Sequence, residues 1–223
     1  MSQIIAISGS TGLIGRRLIS HYQGLGWEVI PLKRGDFSMD SVSLAARLKG
    51  AHAVVNLAGA PIAQRWTLKG RKVIMDSRIN TTRSLVEAIG KMSEPPSVLL
   101  NASAIGIYPD TGDHTEDSIG RDHSFMGQVC EAWEKEAEVV RDGTRLVLLR
   151  FGVVLDADGG ALARLLPFFR MGVGGRVGSG DQAFSWIHST DLVRAISFLH
   201  LGSKVNGPVN MVAPVPSTNR EFT

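Results

Sequence analysis

The sequence predicts an α/β fold in which helices cover both faces of a doubly wound parallel sheet. Residues 4–8 form a continuous apolar run up to Ser8, and residues 53–57 and 146–151 are largely apolar, which is typical of parallel strands buried on both faces. Between these runs apolar residues recur at helical spacing, as in residues 13–24. Strands that alternate with helices along a chain indicate βαβ units and therefore a parallel sheet.

The other elements follow from the same periodicities and from their boundary residues. The predicted strands are residues 4–8, 28–32, 53–57, 97–102 and 146–151. The predicted helices are residues 13–24, 44–48, 68–89, 128–140 and 189–200, the last with Ser189 or Thr190 as its N-cap. Residues 152–181 are rich in glycine, which predicts a loop that contains one helix. We expect a main domain over residues 1–155 and a small C-terminal lobe over residues 156–223, interleaved with the sheet and truncated.

The composition narrows the class of protein. With 223 residues, 43% of them hydrophobic, the chain can form one core without disulfides. The net charge of +3 is small and the 24 Lys and Arg are scattered, which disfavours a nucleic-acid surface. Cys130 is the single cysteine, which excludes an intrachain disulfide and a multi-cysteine metal site. No stretch of about 18 apolar residues and no signal-peptide pattern occurs, so we expect a cytoplasmic protein without a membrane or nucleic-acid partner.

A glycine-rich turn follows the first predicted strand directly. It consists of Gly9, Ser10, Thr11, Gly12, Leu13, Ile14 and Gly15. Gly9 permits a tight turn, Gly12 lets the backbone approach a pyrophosphate, and Gly15 lets the next helix pack closely. Free N–H groups at the N-terminus of that helix favour phosphate groups. This context predicts a dinucleotide site of the Rossmann type, and the alternative is a tight turn without a ligand.

The end of the second predicted strand indicates which dinucleotide binds. An acidic residue at this point would accept a hydrogen bond from the ribose 2′-hydroxyl of NAD(H). The sequence has Lys33 and Arg34 instead, and two cations favour the 2′-phosphate of NADP(H). Asp36 lies two residues after Arg34 and keeps NAD(H) open as the alternative, with Lys33 and Arg34 then a solvated surface pair.

Several longer motifs carry a family resemblance that covers nearly the whole chain. They are Asn56-Leu57-Ala58-Gly59-Ala60-Pro61-Ile62, Arg65-Trp66, Ser77-Arg78, Trp133-Glu134, Arg150 with Gly152-Val153-Val154-Leu155, Pro167-Phe168-Phe169-Arg170, Gly178-Ser179-Gly180 and Trp186-Ile187-His188. With them the chain resembles the extended short-chain dehydrogenase/reductase superfamily of NAD-dependent epimerases and dehydratases. More narrowly, it resembles the atypical YfcH-like group of sugar-nucleotide epimerase relatives.

The resemblance implies further contacts and partners. Beside the glycine turn, the cofactor would be contacted by Leu57, Ala58, Gly59 and Arg78, and its nicotinamide would be bordered by Gly152, Val153 and Val154. The substrate would be a small molecule, nucleotide-linked or otherwise polar. Members of the superfamily dimerise through two long helices, here residues 68–89 and 128–140, which implies a homodimer. They also continue into a C-terminal region that this chain lacks.

The superfamily transfers hydride with a Tyr-x-x-x-Lys pair, helped by a Ser or Thr at the end of the preceding strand. Ser103 fits the second role, but no Tyr-x-x-x-Lys occurs, since the only tyrosines are Tyr22 and Tyr108. The helix that should carry the pair has other side chains at those positions, namely Phe125 or Met126 and Val129 or Cys130. We therefore name Ser103 and Tyr108 as candidate catalytic residues, and a packing role for Tyr108 stays open.

Two functions remain open from the sequence. The first is an NADP(H)-dependent epimerase or oxidoreductase, which the glycine-rich segment at residues 172–181 favours because it resembles a cover over a pocket. The second is a cofactor-binding sensor or scaffold without turnover, which the missing Tyr-x-x-x-Lys pair favours. A third class is a nucleic-acid or protein-interaction module, and the small positive net charge is the one observation that favours it. We expect His188 and Asp191 to cap and pack, and Cys130 to be a buried small side chain.

Overall fold

The computed structural model describes residues 3–215 and 217–223, in which strands and helices alternate. The strands are β1 (Ile4–Ser8), β2 (Glu28–Leu32), β3 (Ala51–Asn56), β4 (Val98–Ala104), β5 (Arg145–Phe151), β6 (Val153–Asp156), β7 (Trp186–His188) and β8 (Gly207–Met211). The α-helices are α1 (Leu13–Gly24), α2 (Ser41–Arg47), α3 (Leu68–Lys91), α4 (Phe125–Glu138), α5 (Gly160–Arg170), α6 (Ser189–Leu201) and α7 (Asn219–Phe222). Short 3₁₀ helices follow β2 and β4, at Arg34–Ser38 and Ile105–Ile107.

Six of the strands form one parallel sheet in the order β2-β1-β3-β4-β5-β8. β2 lies on one side of β1 and β3 on the other, so the chain changes direction at β1. Doubly wound folds bind ligands at the carboxyl ends of the strands at such a switch point. β6 and β7 form a separate parallel pair. The segments that follow β1 and β3 therefore border the crevice where a ligand is expected.

Apolar side chains fill the space between the sheet and the helices on both faces. On one face α1 and α6 bury Leu18, Tyr22 and Ile196 against the sheet. On the other face α3 buries Leu85 and Ile89, next to α2, and α4 lies beside α3. Burial of one such side chain stabilises the fold by about 1.5–3 kcal/mol. Because both faces are covered, the strands carry the continuous apolar runs that made them recognisable in the sequence.

Three helices on one face of the sheet, α2, α3 and α4, have an N-cap residue whose side chain accepts a hydrogen bond from the first turn. The N–H of Gly70 donates to the Thr67 hydroxyl at 3.1 Å at the start of α3. The N–H of Gly127 donates to the Ser124 hydroxyl at 3.2 Å at the start of α4, and Asp40 caps α2 in the same way. Such caps satisfy N–H groups that have no partner within the helix.

The predicted doubly wound α/β fold is confirmed, and the differences concern boundaries and short elements. The prediction that Ser189 or Thr190 caps α6 is wrong, because the N-cap is His188, whose Nδ1 accepts the Thr190 N–H at 3.2 Å. Ser189 is the first residue of the helix and is buried. The predicted loop at residues 152–181 contains β6 as well as the expected helix, α5. Strands β7 and β8 have no counterpart in the sequence prediction: β7 has only three residues, and β8 contains Gly207 and Pro208, which are poor strand formers.

Across residues 3–215 and 217–223, every helix is too short or too polar to cross a membrane.

Candidate functional site

The glycine turn between β1 and α1 packs closely against the end of β3. Gly9 has a φ of +63°, and a Cβ on it would lie 2.7 Å from the carbonyl oxygen of Leu57. The Gly12 N–H donates to the Gly9 carbonyl oxygen at 2.9 Å and closes the turn. A Cβ on Gly15 would collide with the same carbonyl group. At Gly9 and Gly15 only glycine fits without a shift of the backbone.

Helix α1 lacks the side-chain cap that α2, α3 and α4 have. Its N-cap is Gly12, and no side chain of the described residues accepts from its first N–H groups. These N–H groups, together with the helix dipole, give the N-terminus of α1 a partial positive charge. The end of α1 at the glycine turn is therefore suited to the oxygens of a pyrophosphate.

A buried hydrogen bond joins the two segments that border the crevice. The Ser8 hydroxyl, at the end of β1, donates to Asn56 Oδ1, at the end of β3, at 2.6 Å. The same hydroxyl accepts the N–H groups of Leu57 and Ala58 at 3.0 and 3.2 Å. The segment of Leu57, Ala58 and Gly59 is thereby fixed beside the glycine turn.

Asn56 also connects this crevice to α3 and α4. Its Nδ2 donates to Thr82 Oγ1 at 2.9 Å and to Asn101 Oδ1 at 2.7 Å. Trp133 Nε1, from α4, donates to the same Thr82 oxygen at 2.9 Å. Ser8, Thr82 and Asn101 are not among the site residues predicted from the sequence. The signal for Ser8 and Asn101 was a polar residue inside an otherwise apolar strand.

Two exposed cations follow β2, next to the glycine turn. Ser10 Oγ, in the turn, donates to the Leu32 carbonyl oxygen at 3.2 Å and holds the turn against the end of β2. Lys33 and Arg34 come directly after Leu32, and both side chains are exposed. The Asp36 carboxylate accepts the Lys33 N–H at 2.6 Å. Asp36 therefore caps its own short helix, while Lys33 and Arg34 face solvent.

Arg78 is a buried cation at the same edge of the sheet. Its Nη1 donates to the carbonyl oxygens of Ile74 at 3.0 Å and Ala60 at 3.2 Å, and its guanidinium lies 5.1 Å from the ring centroid of Trp133. A Cβ on Gly59 would lie 2.9 Å from Arg78 Cζ, so the glycine makes room for it. Burial lowers the pKa of Arg78 below its ordinary value. Among the described residues no carboxylate pairs with it.

A second buried network lies under the ends of β4 and β5. The Ser103 hydroxyl donates to Glu134 Oε1 at 2.6 Å. Arg150 donates to both oxygens of the same carboxylate, from Nε at 2.9 Å and from Nη2 at 2.8 Å. All three side chains are almost fully buried. Motifs containing Glu134 and Arg150 contributed to the family resemblance, but no pattern in the sequence predicts this ion pair.

Tyr108 is held by the same arginine. Arg150 Nη1 donates to the Tyr108 hydroxyl at 2.6 Å, and that hydroxyl donates to Asn210 Oδ1 at 2.8 Å. Burial opposes the charge of Arg150, but its hydrogen bonds to Glu134 and Tyr108 outweigh this cost and raise its pKa. The structure thus connects the two candidate catalytic hydroxyls, Ser103 and Tyr108, through one ion pair.

The edge strand β8 is attached to the loop that carries Tyr108. The backbone N–H of Asn210 donates to Glu116 Oε1 at 2.7 Å, in addition to the contact between Tyr108 and the Asn210 side chain. Pro208 in the same strand has no N–H. Such features protect an edge strand from pairing with another chain.

The start of α4 is apolar where the Tyr-x-x-x-Lys pair was sought. Phe125 and Met126 are half-buried, and Phe125 packs edge-on against Trp66 with ring centroids 5.5 Å apart. Val129 and Cys130 are buried. Burial, and next the charge of Glu134, raise the pKa of the Cys130 thiol to about 11. A thiol with such a pKa is protonated at neutral pH, which agrees with the expected packing role.

Gly152, Val153 and Val154 follow directly after β5. The N–H groups of Gly152 and Val153 donate to the carbonyl oxygens of Met211 at 3.2 Å and Ser185 at 2.9 Å. A Cβ on Gly152 would lie 2.7 Å from the Ser185 oxygen. Val153 and Val154 are half-buried in β6. The structure therefore places this segment at the carboxyl end of β5, two strands from β3.

Most of the residues that the sequence singled out lie along one edge of the sheet. The glycine turn, the segment after β3, Arg78 and the cations after β2 surround the switch point. Ser103 and Tyr108 lie further along the same edge, at and after the end of β4. His188 and Asp191 are exposed at the start of α6.

This parallel sheet, with a glycine turn and an uncapped helix at its switch point, defines an α/β protein of the Rossmann class. The family model described as "NAD dependent epimerase/dehydratase family" matches residues 5–211, and the chain belongs to that family. The predicted family resemblance is confirmed.

Proteins similar to this chain occur in bacteria and in man. An epimerase family protein of Staphylococcus haemolyticus is 37% identical over 229 residues, which cover 97% of this chain and 77% of that protein. The human epimerase family protein SDR39U1 is 37% identical over 227 residues, which cover 98% of this chain and 77% of that protein. This chain spans about three quarters of the length of both relatives.

Two solved structures have the same fold. The crystal structure of human SDR39U1 (isoform 2) with NADPH has a TM-score of 0.91 at 35% identity, covering 99% of this chain and 77% of that one. A nucleoside-diphosphate sugar epimerase from Corynebacterium glutamicum has a TM-score of 0.84 at 33% identity, covering 100% of this chain and 49% of that one.

Proposed function

We propose that this chain binds NADP(H) at the switch point of its sheet, with the pyrophosphate on the N-terminus of α1. The observation that carries the proposal is the uncapped start of α1 behind the tight turn of Gly9, Gly12 and Gly15. Within the turn, Ser10, Thr11, Leu13 and Ile14 complete the backbone that would surround the phosphates. Helix N-termini without a side-chain acceptor are common binding sites for phosphate groups.

The choice of NADP(H) over NAD(H) rests on the residues after β2. Lys33 and Arg34 would pair with the 2′-phosphate, and Arg34 offers the two parallel N–H groups that match a phosphate. Asp36, which would favour NAD(H), already accepts the Lys33 N–H. The crystal structure of the human relative with NADPH supports the same choice.

The remaining cofactor contacts follow from the geometry beside β3 and β5. Leu57, Ala58 and Gly59 would form the wall of the crevice next to the pyrophosphate. Arg78 fits an anionic group of the cofactor, because it is buried, no carboxylate of the described residues pairs with it, and such a charge is costly unless it is paired. At the far end of the crevice, the nicotinamide would be bordered by Gly152, Val153 and Val154.

A bound nicotinamide supplies or accepts a hydride, and the chain must then supply the acid or base. We propose that the Tyr108 hydroxyl fills this role, since Arg150 places a positive charge 2.6 Å from its oxygen. A cation beside a phenol is the physical requirement that a Tyr-x-x-x-Lys pair satisfies elsewhere. Ser103, bound to Glu134, is the second hydroxyl of this proposal.

A second candidate function is NADP(H) binding without turnover, in a sensor or scaffold. One observation favours it: both candidate hydroxyls already donate hydrogen bonds within the protein, Ser103 to Glu134 in the interior and Tyr108 to Asn210 at a partly buried position. Each would have to give up a partner before it could transfer a proton to a substrate.

The substrate and assembly belong to the same proposal. We propose a small polar substrate, of the nucleotide-linked class that the name of the Corynebacterium relative indicates. We also propose a homodimer through α3 and α4 and a cytoplasmic location. Residues 1–155 would bind the cofactor, and residues 156–223, a small lobe interleaved with the sheet, would contribute to the substrate site.

A fluorescence titration with NADPH tests the cofactor proposal. We expect saturable binding by the natural chain. Gly12→Val, which places a side chain where the pyrophosphate would lie, should weaken binding at least tenfold without unfolding the protein. Gly24→Val, at the other end of α1 where a Cβ meets nothing within 4 Å, is the matched control. Failure of the natural chain to bind NADPH or NADH would contradict the proposal.

A further inference from the structure

A groove with a volume of about 530 Å³ lies on the outer side of α1, between this helix and α6. Its walls include Arg16, Ser20 and His21 from α1 and Thr190 from the start of α6. These four residues lie outside the proposed cofactor site, whereas Leu13, which also lines the groove, belongs to the glycine turn. The groove therefore requires an explanation of its own.

The two arginines of this groove differ in their ion pairs. Arg17 forms an ion pair with Asp156 and donates to Asp158 from Nη2 at 3.0 Å, so both acids are bound to one arginine. Arg16 is exposed and has no carboxylate partner among the described residues; one of its nitrogens donates to the Thr11 carbonyl oxygen at 2.5 Å. The remaining N–H groups of Arg16 are free to bind an anion, and five N–H donors per guanidinium allow both contacts.

Neutral donors and apolar carbons complete the lining. Ser20 and Thr190, which carry hydroxyl groups, line the groove, and so does His21, whose Nε2 is buried and has no hydrogen-bond partner among the described residues. Leu13 and Val193 supply the apolar part. Donors around one cation indicate an oxyanion, and the apolar side chains fit a short carbon skeleton attached to it.

We propose that this groove binds a small phosphate monoester, separately from the dinucleotide. Arg16 would pair with the phosphate, Ser20 and Thr190 would donate to its oxygens, and Leu13 and Val193 would contact the carbon skeleton. Because Arg16 also holds Thr11 of the glycine turn, a ligand here touches the backbone that the proposed cofactor uses. We expect both ligands to bind at the same time, because Leu13 is the only residue of the groove lining that also belongs to the proposed cofactor site.

Calorimetric titration with phenyl phosphate tests this site, with inorganic phosphate and phenol as partial ligands. We expect phenyl phosphate to bind more tightly than either, and Arg16→Met to weaken it about tenfold or more by removing a charge-assisted contact. Thr190→Val is a second variant, expected to weaken binding several-fold. Arg47→Met, which removes an exposed cation from α2, is the matched control and should leave the affinity unchanged.

Two further titrations distinguish binding in the groove from binding at the proposed cofactor site. Phenyl phosphate should still bind in the presence of saturating NADPH, and Arg34→Met should leave its affinity unchanged. Displacement by NADPH together with sensitivity to Arg34→Met would show that the phosphate occupies the cofactor site, and would overturn the proposal. Absence of binding at millimolar concentrations, or equal binding by the Arg16→Met and natural chains, would overturn it as well.

Discussion

Arg150 and Glu134 form a two-point ion pair in the interior of the protein, with N–O distances of 2.9 and 2.8 Å and both side chains almost fully buried. The pair connects β5 to α4, and its outer contacts reach Ser103 and Tyr108. A planar guanidinium that donates to both oxygens of one carboxylate fixes the orientation of both groups. The two candidate catalytic hydroxyls are therefore positioned by a single structural unit.

Removal of one charge of this pair should be costly. We expect Glu134→Gln to lower the free energy of unfolding by about 3–5 kcal/mol, because it leaves the Arg150 charge buried and uncompensated. Urea denaturation at pH 7 measures the change. Glu136→Gln, which breaks the more exposed pair with Arg83, is the control and should cost less than about 1 kcal/mol. Equal losses in the two variants would show that Arg150 finds another partner.

The stability of the protein should fall in mild acid because of His200. Burial, and next the positive charges of His52 and Arg145, lower the pKa of His200 to about 4. In the unfolded chain a histidine has a pKa near 6.5, so the unfolded state binds the proton first as the pH falls. The stabilisation is complete above about pH 6.5 and is lost progressively towards pH 4, by at most about 3 kcal/mol.

Thermal unfolding between pH 4.5 and 8 measures this effect. Tyr22 Oη and His52 Nδ1 lie 3.0 and 2.9 Å from the two ring nitrogens of His200. His200→Gln replaces the imidazole by an amide, which can still form hydrogen bonds but does not bind a proton in this pH range. The variant should be less stable at pH 8 and should lose less stability on acidification. A variant with the same pH dependence as the natural chain would assign the acid sensitivity to other groups.

Turnover, where a substrate is found, should be slow and should depend on Tyr108. The conventional pair is replaced by apolar side chains at the start of α4, and the loss of a positioned acid or base typically costs 10²- to 10⁴-fold in rate. A screen of nucleotide-sugars and small carbonyl compounds with NADPH would identify a compound that the protein converts. Tyr108→Phe should then reduce kcat by about 10²-fold or more, and Ser103→Ala should reduce it less.

Fast turnover that is insensitive to both substitutions would contradict the proposed acid–base role. His188 is then the first residue to examine, because its exposed ring caps α6.

The sequence predicted what depends on neighbours in the chain. The buried strands, the amphipathic helices and the glycine turn are local patterns, and the structure contains all of them. A tyrosine four residues before a lysine on one helix is also a local pattern, and this chain does not have it. In the structure Tyr108 and Arg150 are 42 residues apart, on a loop and a strand that only the folded sheet brings together.

The same reason explains the other omissions. Ser8 and Asn56 are 48 residues apart and meet only because β1 and β3 are neighbours in the sheet. Strand β8 contains Gly207 and Pro208, which are poor strand formers, and it is stabilised by its pairing with β5. Tertiary pairing of this kind leaves no periodic pattern in the sequence.

Equilibrium titration of the natural chain and of Arg34→Ala with NADPH and NADH tests the central claim most directly. Charge-assisted hydrogen bonds to the 2′-phosphate, each worth about 1.5–3 kcal/mol, should make NADPH bind about ten- to a hundredfold more tightly than NADH. Arg34→Ala should lose most of this preference while its affinity for NADH stays the same. Equal affinities of the natural chain for the two cofactors, or a preference that survives Arg34→Ala, would contradict the account.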